Sequence, residues 1–180
     1  MPRDLKTLMP PDPEDHRCTE CGAEVPPEFS SCDELFMSIL TPLGMSGAES
    51  TYRAALARLF VDTFGMQHPQ RSCKSAKSYA AHFTGLCIGV EYGGAPSAYA
   101  AVQKWLSRSV EAIGITRPTE PDFRATLTVR YIHDAQSPAE QGTRIHEWAR
   151  DVWAAYSSQH ELARGWIRTA LGEEKGRGTR

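Results

Sequence analysis

No stretch of this sequence approaches the roughly 18 consecutive apolar residues that a membrane-spanning helix needs, so a membrane partner is not expected. Charge of either sign is not in excess. The formal net charge is −2 at pH 7, and charged residues make up 23% of the chain, which leaves no broad basic surface to neutralise phosphates. Nucleic acid is therefore a poor candidate partner. A local basic face near the N-terminus would rest on Arg17 and a few neighbours, set among Glu20, Glu24 and Glu28. Neither a G-x-G-x-x-G nor a P-loop pattern occurs, which removes two phosphate-cradling signatures. The first residues, MPRDLKTLMPPDPEDH, lack the continuous apolar core of a signal peptide, and the expected location is cytoplasmic. Cysteine is scarce and odd in number, at five, which in this setting reads as reduced thiols and metal ligands rather than a disulfide framework.

What is present is ordinary globular material. Hydrophobic residues make up 41% of 180 positions, enough to bury roughly two-thirds of the surface that the unfolded chain exposes. Residues 1–15 carry four prolines without apolar periodicity and read as a flexible arm. Ser31 stands three residues before Glu34 as a capping box, and Leu35, Phe36, Ile39 and Leu40 follow at helical spacing, predicting a helix over about 31–40 that ends near Pro42 and Gly44. Tyr52, Leu56, Leu59, Phe60, Thr63, Phe64 and Gln67 predict a second helix over about 49–67, stopped at His68-Pro69.

A third helix is carried by Tyr79, Phe83, Leu86, Cys87 and Val90, up to Gly93-Gly94. Pro96 opens a fourth, with its stripe running from Tyr99 through Val110 to Ile113. TLTVRYIHD alternates as a strand does, yet nothing convincing is available to pair with it, and a short helix capped by Thr126 or Thr128 is preferred. From Ser137-Pro138-x-Glu140 a long helix is expected to reach about 171, with a bend at 157–159 or Gly165; residues 173–180 read as a disordered tail. The predicted architecture is all-α: a single domain over 16–172, a bundle of about five helices with an irregular N-terminal metal-binding loop.

That loop holds the chemistry. In HRCTECGAEVPPEFSSC, Cys18 and Cys21 have the spacing at which two thiolates face one ion, and Gly22 relieves the turn behind them. Cys32, in the first turn of the first helix, is the best third ligand, because the helix dipole favours a thiolate there. An antiparallel hairpin of the first two helices would bring His68 back beside Cys32, which makes His68 the first choice for the fourth position. His16, Cys73 and His82 compete with it. Unligated thiols, or a redox Cys-x-x-Cys, form the alternative, but the redox motif belongs after a strand and none precedes it here. Three thiolates and an imidazole would fill a tetrahedron, leaving no place for water, so the expected cofactor is a structural Zn2+.

Asp62, His82 and His160 lie on or near apolar helical faces and are the candidate catalytic residues, as an acid–base or metal constellation in the bundle. The plainer reading gives each a single hydrogen-bond partner in or beside the core. Trp105, Trp148, Trp153 and Trp166 read as packing, and Cys87 as an inert core thiol.

The segments CTECGAEVP, SCDELF, LFVDTFGMQHP, SYAAHFTGLCIGVEYG and HEWARDVWAAYSSQHELARGWI together resemble an uncharacterised bacterial family of unknown function, over about Cys18 to Ile167. The family pattern falls here on Cys18, Cys21, Gly22, Cys32, His68, His82, Trp148, Trp153 and His160. The resemblance implies the same metal ligands and brings no reaction with it. The function expected is that of a zinc-stabilised binding or interaction module with a protein or small-molecule partner. The alternative is a metal-dependent hydrolase or other enzyme built on the His/Asp constellation.

Overall fold

A computed structural model describes residues 17–45, 51–108, 114–119 and 124–172. The arm at 1–15, the tail at 173–180, and Val110 and Ile113 of the expected fourth stripe lie outside these residues. Eight α-helices occur among those described: α1 (Cys32–Met45), α2 (Thr51–Gln67), α3 (Pro69–Ser72), α4 (Ala76–Glu91), α5 (Pro96–Leu106), α6 (Val129–His133), α7 (Pro138–Ala155) and α8 (His160–Leu171). The class is the expected one; the number of helices is higher than about five. Short helices account for most of the difference. Pro69 has φ preset for a first helical turn and lets the chain re-enter helix directly after His68, giving α3. TLTVRYIHD is helical, with Thr128 extended at the N-cap of α6. The last helix is interrupted at Ser157–Gln159 by a 3-10 turn, whereas Gly165 is passed without a break.

Local sequence sets the helix starts. Ser31 Oγ accepts the Glu34 N–H at 3.2 Å as the capping box requires, but the Glu34 carboxylate returns one residue earlier, to the Ser30 N–H at 2.7 Å. The same shift recurs at α7, where Ser137 Oγ takes the Glu140 N–H at 3.2 Å and Glu140 takes the Gln136 N–H at 2.8 Å. Ser75 and Ser78 form a reciprocal capping box at α4 that the sequence reading passed over. Pro42 does not end α1, which continues to Met45. A proline removes one N–H and crowds the preceding turn, and near the C-terminal end of a helix few bonds remain to be lost.

α2 and α4 form the centre, with α2 against α1, α4 and α7, and α4 against α5, α7 and α8. Their apolar faces meet in a core that includes Leu35, Leu59, Phe60, Phe83, Leu86, Ile145, Trp148 and Ile167, each fully or nearly fully buried. Each such side chain contributes roughly 1.5–3 kcal/mol relative to remaining exposed. Trp105, Trp148 and Trp153 are buried as packing residues, and Trp166 is half-buried against Phe83 and Trp105. None of the described helices is long and apolar enough to cross a membrane.

Candidate metal centre

Residues 17–24 fold back on themselves. The Gly22 N–H donates to the Cys18 carbonyl at 2.8 Å, the Cys18 N–H donates to the Ala23 carbonyl at 2.9 Å, and Arg17 and Glu24 form an antiparallel bridge. Gly22 has φ +74, a conformation that favours glycine and turns the chain so that Cys18 and Cys21 face the same way. Cys32 opens α1 and is buried, while Cys18 and Cys21 are half-buried.

The start of α1 lies beside the end of α2, as stacking of Phe36 on Phe60 and Phe64 shows, with ring centroids 4.9 and 4.1 Å apart. This juxtaposition brings His68 to the cysteines. The ring of His68 is completely buried, packs on Phe64 at 4.1 Å, and donates from Nδ1 to the Phe64 carbonyl at 3.0 Å. That bond leaves Nε2 as a lone-pair donor, and Nε2 is a buried nitrogen with no hydrogen-bond partner. A buried polar atom left unpaired is costly unless a ligand satisfies it.

One ligand atom from each of Cys18, Cys21, Cys32 and His68 lies within 4.8 Å of the others. The Cys21 and Cys32 sulfurs are 3.7 Å apart, too far for a disulfide and close to the edge of about 3.8 Å expected for a tetrahedron with zinc–sulfur bonds of about 2.3 Å. The electrostatics are those of a site that wants a cation. Hydrogen bonds from Cys21 and Cys32 hold the Cys18 thiol far below its usual range, while contact with Cys18 and Cys21 pushes Cys32 far above it. Burial opposes charge on His68, but Cys18 and Cys21 outweigh it and raise the imidazole to about 9.

Of the competing fourth ligands, Cys73 is buried elsewhere, with its thiol 3.5 Å from the Gly65 carbonyl, His82 pairs with Asp62, and His16 lies outside the described residues. The surrounding layer was not legible in the sequence. Arg71, on α3, donates from Nη2 to Cys18 Sγ at 3.2 Å, from Nε to Glu20 at 2.5 Å and from Nη1 to Asp33. Glu20 also accepts the Gln70 N–H at 3.0 Å, and Arg117 holds the Cys73 and Pro69 carbonyls at the end of α3. Finding these partners from sequence would have required knowing that α3 exists.

A cleft of about 200 Å³ adjoins the cysteines, bounded by Thr19, Glu20 and Cys21 on one side and by Gln67, Gln70 and Tyr156 on the other. The three candidate catalytic residues are divided. Asp62 and His82 meet, with Oδ1 and Nδ1 3.0 Å apart. His160 instead stacks flat on Trp153 at 3.8 Å and bonds through Nε2 to the Trp153 carbonyl at 2.8 Å.

The model of one protein family, described as a family of unknown function (DUF5946), matches residues 16–157. No curated protein and no solved structure matches the chain.

Proposed function

We propose that this chain, which belongs to the DUF5946 family, is a zinc-stabilised helical binding module in which the metal fastens the N-terminal segment to the bundle. The observation that carries the reading is the unpartnered, fully buried Nε2 of His68 beside three cysteine sulfurs. Soft thiolates with one imidazole in a tetrahedral set suit Zn2+, and four protein ligands leave no coordination position for a reacting water. Three thiolates and a divalent ion sum to one negative charge, and the Arg71 guanidinium beside Cys18 offsets it. A structural role follows from the closed set. The cleft next to Cys21 is the place we assign to a protein or small-molecule partner, because one of its walls is the metal-bound turn.

Metal analysis of the purified full-length chain should find about one zinc per chain, and Cys21→Ser should lose the metal and melt at lower temperature. A metal-free protein of unchanged stability would overturn the reading. The second reading, an enzyme using the His/Asp pair, is favoured only by the contact of Asp62 with His82.

A further inference from the structure

The interface of α2 with α4 is cut to fit two polar side chains. A Cβ on Gly85 of α4 would lie 2.0 Å from Asp62 Oδ2, and one on Gly65 of α2 would lie 2.7 Å from His82 Cγ. Each helix thus presents a glycine to the other's ionisable residue. Asp62 is 2% exposed, and both of its oxygens are engaged: Oδ1 with His82 Nδ1 at 3.0 Å and Oδ2 with Arg58 Nε at 3.3 Å. Two helices can be held together at less cost by apolar contacts than by a buried carboxylate.

The Asp62 bond sets the state of the imidazole. Burial pushes the Asp62 carboxyl up, but His82 and Arg58 oppose this, and with the carboxyl ionised His82 gives it the Nδ1 proton. Nε2 is left with its lone pair, the arrangement by which a carboxylate orients an imidazole for proton transfer. His82 lines an open cavity of about 340 Å³ whose other walls include Leu40, Ala54, Ala57, Val61 and Ala81. Among the described residues Nε2 has no hydrogen-bond partner.

The remaining groups near the pair are already engaged. Arg58, besides bonding Asp62, lies over the Tyr99 ring at 4.9 Å, and the Tyr99 hydroxyl of α5 donates to the Gly85 carbonyl at 3.1 Å. Of the described side chains of α1, Leu40 is the one that reaches the cavity wall. The cavity, which Arg58 and Asp62 also line, therefore offers mostly apolar walls, one proton acceptor and a guanidinium beside it.

We propose that Asp62 and His82 form a proton-accepting binding site for a small, largely apolar molecule bearing one acidic O–H group, a phenol in chemical class. On binding, the ligand O–H bond breaks and an Nε2–H bond forms. The electron pair stays on the ligand oxygen, and the imidazolium sits between that anion and the Asp62 carboxylate. His82 is the residue that touches the ligand; Asp62 acts through it. The site is independent of the metal reading, since none of its residues belongs to the cysteine cluster.

The test uses 4-nitrophenol, whose anion is yellow and whose neutral form is not, with the full chain near neutral pH, where an imidazole can accept a proton and much of the free probe is still protonated. Wild type should give saturable yellow colour. His82→Gln should abolish it, and Asp62→Asn should bind the probe but develop at least tenfold less colour. Ala57→Leu, which fills the cavity and leaves the pair intact, should lose the colour as well, and it keeps the test decisive if a polar variant fails to fold. No saturable colour with wild type, or equal colour with His82→Gln or Ala57→Leu, would overturn the proposal.

Discussion

Gly85 and Gly165 are both helical glycines, and their surroundings make opposite demands. At Gly85 an added methyl would run into the Asp62 carboxylate at 2.0 Å, and Asp62, held by His82 and Arg58, has nowhere to go. Gly85→Ala should therefore destabilise by roughly 1–3 kcal/mol despite alanine's better helix propensity. At Gly165 the nearest atom is the flexible end of Arg168 at 3.8 Å, so Gly165→Ala should stabilise by about 0.5–1 kcal/mol. Denaturant unfolding of the two variants reads both signs. The cysteines divide as sharply. Burial, reinforced by Glu91, pushes the Cys87 thiol up to about 12, so iodoacetamide at mildly alkaline pH should leave Cys87 untouched in the folded protein. Peptide mass mapping after labelling checks this. At this scale residue type and spacing were readable: Cys18, Cys21 and Cys32 announce themselves by chemistry, and Cys87 by its apolar stripe. Gly85 and Gly65 were not, because a glycine's purpose lies on the neighbouring helix.

α3 is four residues long, yet it positions Arg71 against Cys18, Glu20 and Asp33. If zinc is bound as proposed, removing the guanidinium that bonds the Cys18 sulfur should lower zinc affinity about tenfold, with the four clustered residues intact. Competition of Arg71→Gln and wild type against a chromophoric chelator measures it. A second junction joins α4, α7 and α8, where Glu91 accepts from Trp153 at 2.9 Å and from Arg164 at 2.6 and 2.8 Å. Arg164 holds the Glu91 carboxyl below its ordinary 4.5, with burial opposing and Trp153 assisting. A depressed folded-state value contributes stability above the unfolded value, and that stability is lost as pH falls through the folded one. Glu91→Gln should melt below wild type at neutral pH, and the difference should vanish in acid once the carboxyl is protonated in both states. The long helices were legible because their periodicity extends over several turns. α3 was missed because four residues carry too little periodicity to count, whereas α6 was read as a short helix capped at Thr126 or Thr128 only because no strand was available to pair with it.

For the whole molecule, the four clustered residues come from three places: the N-terminal turn, the start of α1 and the end of α2. Beside the family resemblance, His68 was readable through topology, since no spacing motif links it to Cys18. A hairpin of the first two helices supplies the link. Of the candidate trio, His160 lies apart from Asp62 and His82, because the 3-10 turn at 157–159 resets the helix and hands the ring to Trp153. If the proposed zinc is bound, chelating it should expose residues 17–31 to protease while most of the far-UV helical signal remains, because α2 and α4 meet through their own apolar faces. Limited proteolysis with circular dichroism tests this. Since protons compete with the metal for thiolates, the same release should follow acidification.

The separation of Cys18 from His68 along the chain also bears on the unfolded state. A metal held by both residues is a cross-link closing a loop of about 50 residues, and a covalent link of that span would withdraw ~4 kcal/mol of chain entropy from the denatured ensemble. Unlike a disulfide, this link needs no oxidant and is reversible, so the stability of the chain should follow the free zinc concentration around it, rising and falling with supply.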